Sequence, residues 1–329
     1  MTSWITAISV ARIADTIGPQ VARTLGLELA AVRFEDRIAV SHAIEIWERA
    51  IAATGRDLPV RAARYASCDE RSTVAFVGAN QPTFAAGLVK LVQLYPTASN
   101  AYGWQLERSD TELRLVCAPA GPIEHLGWQA QLEHELVDIA SVATRLTEGA
   151  ARPRALWLQH APPPIVTAQI TDQIGICPEV ARPRYELTWP IAVATAPLIG
   201  ARPHVANELE RPLAQLLAAE EARRSMSERV RRLIAGSPVP RRWSVTELAE
   251  LLGVSRRSLE RALAAEHTSV VRILDREHRA AALAWLADLS IDEVSQRLGY
   301  SEPRAFARAF KRWTGKSPSA VRAALRDCS

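Results

Sequence analysis

The chain has 329 residues, of which 48% are hydrophobic and 23% are charged, without a low-complexity tract or a long apolar run. This length predicts two domains, and the composition excludes a membrane-spanning or fibrous protein. The formal net charge of +4 conceals an asymmetry, because residues 1–222 carry 19 Lys and Arg against 24 Asp and Glu, whereas residues 223–329 carry 21 against 12. A basic segment behind an acidic one suggests a polyanion-binding module, although charge alone favours a solvated basic surface equally.

The acidic part of the chain alternates helical and strand patterns. Apolar residues at helical spacing predict helices at 10–29, 42–54, 83–95 and 127–146. Between the last two lies "SNAYGWQLERSDTELRLVCAP", in which the turn-like Ser109 and Asp110 connect two alternating runs into a hairpin. A strand is predicted at 153–161, and a helix at 205–236 is expected to break near Met226. The mixture predicts an α+β N-terminal domain, which we place at 1–222.

Cysteine usage and the N-terminus indicate a cytoplasmic location. The four cysteines are dispersed and show no spacing typical of a metal site or a disulfide framework. The opening residues, "MTSWITAISVARIADTIG", lack the basic segment of a signal peptide, and Arg12 and Asp15 interrupt their apolar run. We therefore expect a soluble intracellular protein without a metal or another cofactor.

From Trp243 onward the pattern changes to short, clearly bounded helices, and it repeats. The segment "VTELAELLGVSRRSLERAL" aligns with "IDEVSQRLGYSEPRAFARAF" when the second turn contains one extra residue. Each copy begins with a capping box, formed by Ser244 with Glu247 and by Ser290 with Glu293. A glycine turn follows, and then a second helix that carries arginines opposite an apolar stripe. We place a linker region at 223–240 and this repeated, all-α domain at 241–329.

The second helix of the second copy shows how the arrangement could work. Arg304 and Arg308 lie in one sector of the helix, while Phe306, Phe310 and Trp313 lie roughly opposite. A helix, a short glycine-containing turn and another helix form a helix-turn-helix unit, whose second helix can enter the major groove of DNA. Groove-facing arginines can donate two hydrogen bonds to guanine. The alternative to DNA binding is that the two helix pairs form only a core and carry ordinary solvated arginines. The repetition makes this alternative less favoured.

The stretch from about 243 to 325 resembles the DNA-binding domain of the AraC/XylS family of bacterial transcription regulators. The segment "LSIDEVSQRLGYSEPRAFARAFKRWTGKSPSAVR" carries the family's spacing, and the first copy matches at Leu248, Ala249, Leu252, Ser255, Leu259, Leu263, Ala282 and Leu286. The resemblance implies two helix-turn-helix units joined by a long helix. Their recognition helices would enter successive major grooves on one DNA face, about 34 Å apart.

The family's contact positions map onto both copies. By this resemblance the base-reading residues are Arg257, Glu260, Arg261, Arg304, Ala307 and Arg308. Phosphate contacts are expected from Ser255, Arg256, Ser301, Lys311, Arg312 and Lys316, of which the two serines are also N-cap candidates. Glu260 either accepts from cytosine or pairs with a neighbouring arginine, and Ala307 offers only a methyl contact to thymine.

Three residues depart from the family pattern. His267 stands where relatives usually have glycine after the first recognition helix, and histidine tolerates a left-handed φ better than a branched residue does. His278 stands where arginine is common in the connecting helix, so a phosphate or packing contact differs there. Val321 replaces the usual tyrosine, which we expect to change packing only.

The N-terminal residues resemble the arabinose-binding-like effector domain of one branch of the same family. The segments "QPTFAAGLVKLVQLY", "PRALWLQHAPPP" and "ITDQIGICPEV" carry this resemblance, which implies small-molecule sensing, dimerisation or both, without establishing arabinose as the ligand. Candidate effector-pocket residues are Tyr102, Trp104, Trp128, Trp157 and His160, because aromatic rings and a lone histidine line many ligand sites. Packing in the core, or a structural hydrogen bond for the histidine, is the stronger alternative.

These patterns predict a regulator rather than an enzyme. We expect a dimeric, effector-responsive protein of the bacterial cytoplasm, nucleoid-associated when bound, that binds promoter DNA and contacts RNA polymerase, more often as an activator. The "HELVD" at 134–138 begins like the zinc motif H-E-x-x-H but lacks its second histidine, and no nucleophile or nucleotide-binding signature is present. The alternatives are an enzyme with a DNA-binding tail, which would need a reactive cysteine or a metal site, and a module whose basic helices bind an acidic protein.

Overall fold

The computed structural model describes residues 3–26, 36–64, 72–119, 125–182, 184–235, 243–286 and 289–327. The chain forms two compact units, Met1–Ala218 and Ala219–Ser329. The first unit contains two β-sheets and several helices, whereas the described residues of the second are helical outside their turns. An α+β fold followed by an all-α fold is therefore confirmed.

The first unit contains a two-stranded sheet, a four-stranded sheet and several helices. In chain order, its described elements are β1 (Trp4–Thr6), α1 (Ile8–Ile17), α2 (Pro19–Thr24), β2 (Arg37–Ala39), α3 (Val40–Thr54), α4 (Leu58–Arg64), α5 (Thr73–Ala79), α6 (Phe84–Leu94), β3 (Tyr102–Arg108), β4 (Glu112–Pro119), α7 (Leu126–Leu146), β5 (Ala155–Trp157), α8 (Pro164–Ile174), β6 (Tyr185–Pro190) and α9 (Pro203–Arg223). Short 3-10 helices occupy Tyr95–Thr97 and Ile191–Thr195.

The larger sheet is antiparallel, with strand order β3-β4-β6-β5. Leu115 of β4 lies between Leu106 of β3 and Leu187 of β6, and Leu115 and Leu187 are fully buried in the main core. The predicted hairpin is confirmed, because the Ser109 N–H donates to the Glu112 carbonyl at 2.9 Å and closes the turn between β3 and β4.

Helix α7 packs at the centre of this unit, and one glycine permits its closest contact. Leu132, Leu136 and Val137 are fully buried in the same core as the sheet. At the start of the helix, a Cβ on Gly127 would lie 2.2 Å from the Ile44 carbonyl oxygen of α3. Only glycine therefore allows α3 and α7 to approach this closely.

Most of the predicted elements of this unit are present. The helices predicted at 42–54, 83–95 and 127–146 are α3, α6 and α7. The helix predicted at 10–29 is divided, because Gly18 has a φ of 81° and separates α1 from α2; residues 27–29 lie outside the described ranges. The strand predicted at 153–161 is shorter, Ala155–Trp157.

The second unit consists of seven described helices once α9 is set aside: α10 (Met226–Ala235), α11 (Val245–Leu251), α12 (Arg256–Ala265), α13 (Val270–Trp285), α14 (Ile291–Arg297), α15 (Pro303–Thr314) and α16 (Pro318–Asp327). The break expected near Met226 separates α9 from α10. None of the described helices combines the length and apolar character needed to cross a bilayer.

Helix α10 lies within the region expected to be a linker, 223–240. Its Val230 and Ile234 are buried in a core with Leu259 and Leu263 of α12, because "MSERVRRLIA" carries apolar residues along one helical face. The proline-containing residues 236–240 of the same expected linker lie outside the described part of the chain, as do residues 241 and 242.

Candidate nucleic-acid interface and effector site

Two helix pairs of the second unit, α11 with α12 and α14 with α15, have the same local construction. Both predicted capping boxes are formed: Ser244 and Ser290 each accept from the N–H of the glutamate three residues later, and each glutamate accepts from the serine N–H. These reciprocal bonds satisfy helix N–H groups that have no intrahelical partner, so each pair begins at a defined residue.

The turn inside each pair is also the same. Gly253 and Gly299 adopt left-handed φ values of 66° and 74°. The next residue reverses the chain by donating to a carbonyl five positions earlier, Val254 to Ala249 and Tyr300 to Ser295, both at 3.0 Å. This is the Schellman arrangement, in which glycine avoids the penalty of a side chain at positive φ.

The second helix of each pair is anchored by its apolar face. Leu259 and Leu263 of α12 are buried in one core, and Phe306 and Phe310 of α15 are fully buried in another, where Trp313 packs against both phenylalanines. Burial of one helical face leaves the opposite face towards solvent, as the sequence predicted.

Four arginines occupy those opposite faces. Arg257, Arg261, Arg304 and Arg308 are exposed, and none of them has an ion-pair partner within the described residues. Ala307 is half-buried beside Arg308. The guanidinium groups are thus accessible to an approaching anion.

Two other predicted contact residues pair with neighbours. Arg256 Nε lies 2.9 Å from Glu260 Oε1 one turn along α12. Of the two expectations for Glu260, the structure therefore shows the pair with a neighbouring arginine. Arg312 Nη2 lies 3.1 Å from Asp275 Oδ1 of α13. Both arginine side chains are more than 60% exposed, 64% and 62%, and ion pairs of this kind contribute little free energy. Either pair can therefore open when a phosphate approaches.

The two serines proposed as N-caps differ. Ser255 caps α12, since its Oγ accepts from the Ser258 N–H at 3.1 Å. The expectation for Ser301 was wrong: the N-cap of α15 is Glu302, because Pro303 occupies the first helical position and shifts the boundary by one residue. Ser301 remains exposed just before the helix, and Lys311 and Lys316 are exposed on and after it.

The three departures from the family pattern have clear structural roles. His267 adopts a left-handed φ of 55° after α12, at the place where Gly315 has a φ of 75° after α15. His278 is buried in α13, with Tyr300 and Trp313 each 6.2 Å from its ring, so the difference there is one of packing. Val321 packs against the core of the second pair.

One continuous helix joins the two pairs. Val270 and Ile273, near the start of α13, are buried in the core of the first pair, whereas Ala282 and Leu286, at its end, are buried in that of the second. The relative position of the two recognition helices therefore depends on a helix anchored at both ends.

In the first unit, the aromatic residues proposed for an effector pocket pack against other side chains. Tyr102, Trp104 and Trp128 are at most 5% exposed and pack in an aromatic cluster, with ring centroids 5.5 Å apart for Tyr102 and Trp128. Trp157 is half-buried, with the Arg182 guanidinium 4.4 Å from its ring centroid. The aromatic residues therefore have packing roles.

His160 belongs to a buried polar network. Its Nδ1 lies 2.8 Å from the Tyr185 hydroxyl, and its Nε2 lies 2.6 Å from Glu133 Oε1. The fully buried Glu133 also accepts from both terminal nitrogens of Arg56, at 2.6 Å each. Burial, followed by the Glu133 carboxylate, raises the pKa of Tyr185 above its usual value, which keeps the hydroxyl protonated.

The zinc-like "HELVD" segment is likewise held by protein contacts. His134 Nδ1 lies 3.2 Å from the Pro59 carbonyl oxygen, which can only accept, so Nδ1 carries the proton. Burial, and then the Arg12 guanidinium, lowers the pKa of His134 to about 3, so the ring is neutral at neutral pH. Arg12 Nη1 also donates to Asp138 Oδ2 at 2.5 Å.

A cavity of about 90 Å³ lies elsewhere in this unit, among α1, α5, α6 and α7. None of the five proposed pocket residues lines it. Its two charged lining residues are Arg12 and Asp138, and the remainder are apolar or glycine.

The two halves of the chain match different protein-family models. Residues 248–324 match a helix-turn-helix domain, and residues 18–198, more than half of the chain, match the N-terminal arabinose-binding domain of AraC transcription regulators. The chain belongs to the AraC family of transcription regulators.

Several AraC-type and other helix-turn-helix regulators are similar in sequence. An ornithine utilization regulator of Pseudomonas aeruginosa is 31% identical over 167 residues, which cover 50% of this chain and 48% of that protein. VirS of Mycobacterium tuberculosis is 36% identical over 101 residues, 30% of each chain. This chain thus spans about half the length, or less, of the curated relatives it matches. The solved structure of the transcriptional regulator CdpR from Pseudomonas aeruginosa is 20% identical, covers 93% of this chain and 98% of that one, and has a TM-score of 0.42.

Sequence reasoning for this AraC-family protein missed the residues of the cavity. Arg12 and Asp138 are separated by more than 120 positions, and they meet only because α1 packs beside α7. The sequence contained one indication of a cavity, the small residues in "VGA" of α5 and "AAG" of α6. Small residues leave space between packed helices, but they do not show which helices enclose that space.

Proposed function

We propose that this AraC-family chain is a sequence-specific, effector-responsive transcription regulator whose two recognition helices, α12 and α15, enter successive major grooves. One observation carries the proposal: two helix pairs with matching caps and turns bury their apolar faces and expose four arginines, which have no ion-pair partner among the described residues. A major groove accepts a helix of this kind, and arginine is the commonest reader of guanine.

In this proposal each pair reads bases through its second helix. Arg257 and Arg261 of α12, and Arg304 and Arg308 of α15, donate to base edges, and Ala307 contacts a thymine methyl group. Glu260 contacts cytosine only if it leaves Arg256. The remaining contacts go to phosphates and come from Ser255, Arg256, Ser301, Lys311, Arg312 and Lys316. They set the register of the domain on the duplex.

We assign residues 1–222 to effector sensing and dimerisation, 223–240 to a linker that includes α10, and 241–329 to DNA binding. The match to an arabinose-binding domain supports a small-molecule effector. We further propose that the protein acts in the bacterial cytoplasm as a homodimer, contacts RNA polymerase and activates transcription. Activation is the commoner behaviour of the family. The relatives are named as regulators, VirS as a transcriptional one, and we propose no catalytic activity.

The proposal is tested by finding the DNA that the full chain retains. Genomic fragments captured by the protein are sequenced, and the recovered motif is placed in a labelled duplex for fluorescence anisotropy at several salt concentrations. We expect two half-sites about one helical turn apart, and an affinity at least about a thousandfold higher than for a shuffled duplex.

A matched control separates base reading from general attraction. The Arg261→Ala/Arg308→Ala variant should lose most of this preference, whereas exchanging an arginine away from the interface, Arg152→Ala, should not change it. Equal affinity of the unaltered protein for recovered and shuffled duplexes would contradict the proposal. Salt-sensitive binding to an acidic protein without any preference among DNA sequences would favour the interaction-module alternative.

A further inference from the structure

The cavity of the first unit is bounded by helices that meet through small residues. A Cβ on Gly87 of α6 would lie 2.7 Å from the Gly78 carbonyl oxygen of α5, so these helices touch through their glycines. Ala75 and Ala79 of α5 present short side chains to the same space, and Ala143 of α7 lies on another wall. The short side chains on these three helices therefore leave a largely apolar space between them.

The walls determine which chemistry the cavity can accept. Twelve of its fourteen lining residues are apolar or glycine, among them Phe84, Leu88 and Ile139. A sugar would leave most of its hydroxyl groups without hydrogen-bond partners, and each such group costs about 1–3 kcal/mol when buried. The cavity therefore suits an apolar body rather than a polyhydroxylated one.

The two charged residues of the wall limit the polar part of the occupant. Arg12 and Asp138 are paired at 2.5 Å, and each side chain is 13% exposed. Nearby His134 is neutral and directs the Nε2 lone pair towards Arg12 at 3.5 Å. An anion would have to displace Asp138 from Arg12, and a cation would have to displace Arg12 from Asp138. A neutral group that both donates and accepts can contact the pair without separating it.

We propose that the cavity is the effector site of this regulator and that it binds an uncharged amphiphile, with an apolar body among α5, α6 and α7 and one hydroxyl or amide group at Arg12 and Asp138. The assignment as an effector site rests on the proposed regulatory function. The chemical class of the ligand rests on the cavity alone, and it differs from the sugar in the name of the matching domain.

The test is a displacement assay with the full chain. N-phenyl-1-naphthylamine, an uncharged probe that fluoresces in apolar sites, is titrated into the protein. It is then displaced with the alcohol, amide, carboxylate and ammonium forms of one ten-carbon chain, and with arabinose. We expect the alcohol and the amide to displace the probe at concentrations about tenfold lower than the charged forms, and arabinose to displace none.

Variants locate the binding. Ala79→Leu narrows the cavity and should weaken probe binding about tenfold or more, whereas the same exchange at the exposed Ala53 of α3 should leave it unchanged. Ala75→Leu provides a second narrowing variant, and circular dichroism identifies any variant that does not fold. Equal probe affinity of the folded narrowing variants and the unaltered protein would overturn the location.

Other outcomes also decide the proposal. Preferred displacement by a charged form, or displacement by arabinose, would overturn the assigned ligand class. Probe binding that falls as protein concentration rises would show that a second copy covers the cavity, which would overturn the small-molecule assignment. An unaltered protein that binds DNA specifically but neither probe nor amphiphile would refute this inference alone. Amphiphile binding without specific DNA binding would refute the regulator and leave the cavity as a ligand site.

Discussion

At the scale of single residues, the two units differ in whether their charged side chains form ion pairs. In the first unit, Arg56 with Glu133 and Arg12 with Asp138 form largely buried pairs. In the second unit, Arg304 and Arg308 are exposed and have no ion-pair partner in the described part of the chain. Buried charges require partners because of their desolvation cost, whereas exposed arginines remain available for a ligand.

The availability of Arg308 leads to a prediction about specificity. Arg308→Ala should weaken binding to the cognate duplex by about 1–3 kcal/mol and relax the preference at one base pair, because a bidentate guanine contact is lost. Lys316→Ala should weaken binding to all sequences alike, since a phosphate contact carries no base information. Affinities for cognate and single-substituted duplexes measure the difference. Equal losses on cognate and random DNA for Arg308→Ala would exclude it from base reading.

The half-buried carboxyl group of Glu135 predicts a dependence of stability on pH. Burial, and then the Asp138 carboxylate, raises the pKa of Glu135 from its ordinary 4.5 to about 7. Between these values the native state binds more protons than the unfolded state, so the contribution of Glu135 to the free energy of unfolding falls as pH rises from about 4.5 to about 7.

Glu135→Gln removes this titration and retains an oxygen that can accept from Gln131, which lies 3.0 Å from Glu135 Oε1. Relative to the unaltered protein, the variant should gain stability between about pH 4 and about pH 8, by up to about 3 kcal/mol. Urea unfolding at several pH values measures this difference. His134 titrates in both proteins, so its effect cancels. A stability difference that does not change with pH would show that the pKa of Glu135 is the same in the native and unfolded states.

At the scale of secondary-structure elements, the two helix pairs differ most at the ends of their recognition helices. His267, two residues after the end of α12, adopts a left-handed conformation, whereas Gly315 adopts that conformation directly after α15. A residue with a side chain is strained there, and glycine is not. No atom lies within 4 Å of a Cβ built on Gly315, so the difference is one of backbone conformation rather than of space.

Exchanging these two residues should produce opposite effects on stability. His267→Gly is expected to increase the free energy of unfolding by about 0.5–1 kcal/mol, and Gly315→His to decrease it by about 1 kcal/mol. Urea unfolding followed by far-ultraviolet circular dichroism provides the measurement. A decrease for His267→Gly would mean that the imidazole ring makes a stabilising contact that outweighs the strain.

At the scale of the whole molecule, one helix sets the geometry of the DNA-binding unit. Helix α13 is buried in the core of the first pair at Val270 and in that of the second pair at Leu286. A helix cannot be stretched without breaking its hydrogen bonds, so the two recognition helices should accept only one separation of half-sites.

The spacing of the half-sites tests this restraint. Five base pairs inserted between the half-sites turn the second one to the opposite face of the duplex, and the affinity should fall to about that for a single half-site. Ten inserted base pairs restore the face but not the distance, so the affinity should stay low. Anisotropy with the three duplexes measures the effect. Full recovery with the longer insertion would show that the two pairs move independently.

The sequence predicted those features that depend on neighbouring residues. The capping boxes at Ser244 and Ser290, the glycine turns at Gly253 and Gly299, and the anchored face that includes Phe306 could all be recognised. Each of these features depends only on residues within about five positions of one another in the sequence. Caps and turns are formed by short-range hydrogen bonds, and helical faces follow from a fixed helical period. The double helix-turn-helix fold of the AraC family was therefore accessible from the sequence.

The tertiary structure decided those features that depend on residues distant in the sequence, namely strand pairing, burial and the cavity. Strand β6 is buried along almost its whole length and shows no alternation, so its pairing with β4 and β5 could not be inferred from its own residues. Trp104, a candidate for the effector pocket, is buried in the core. Arg12 and Asp138, which are distant in sequence, form a hydrogen bond in the wall of the cavity. Burial and cavity formation are properties of packed elements, and a sequence specifies them only through the fold that brings those elements together.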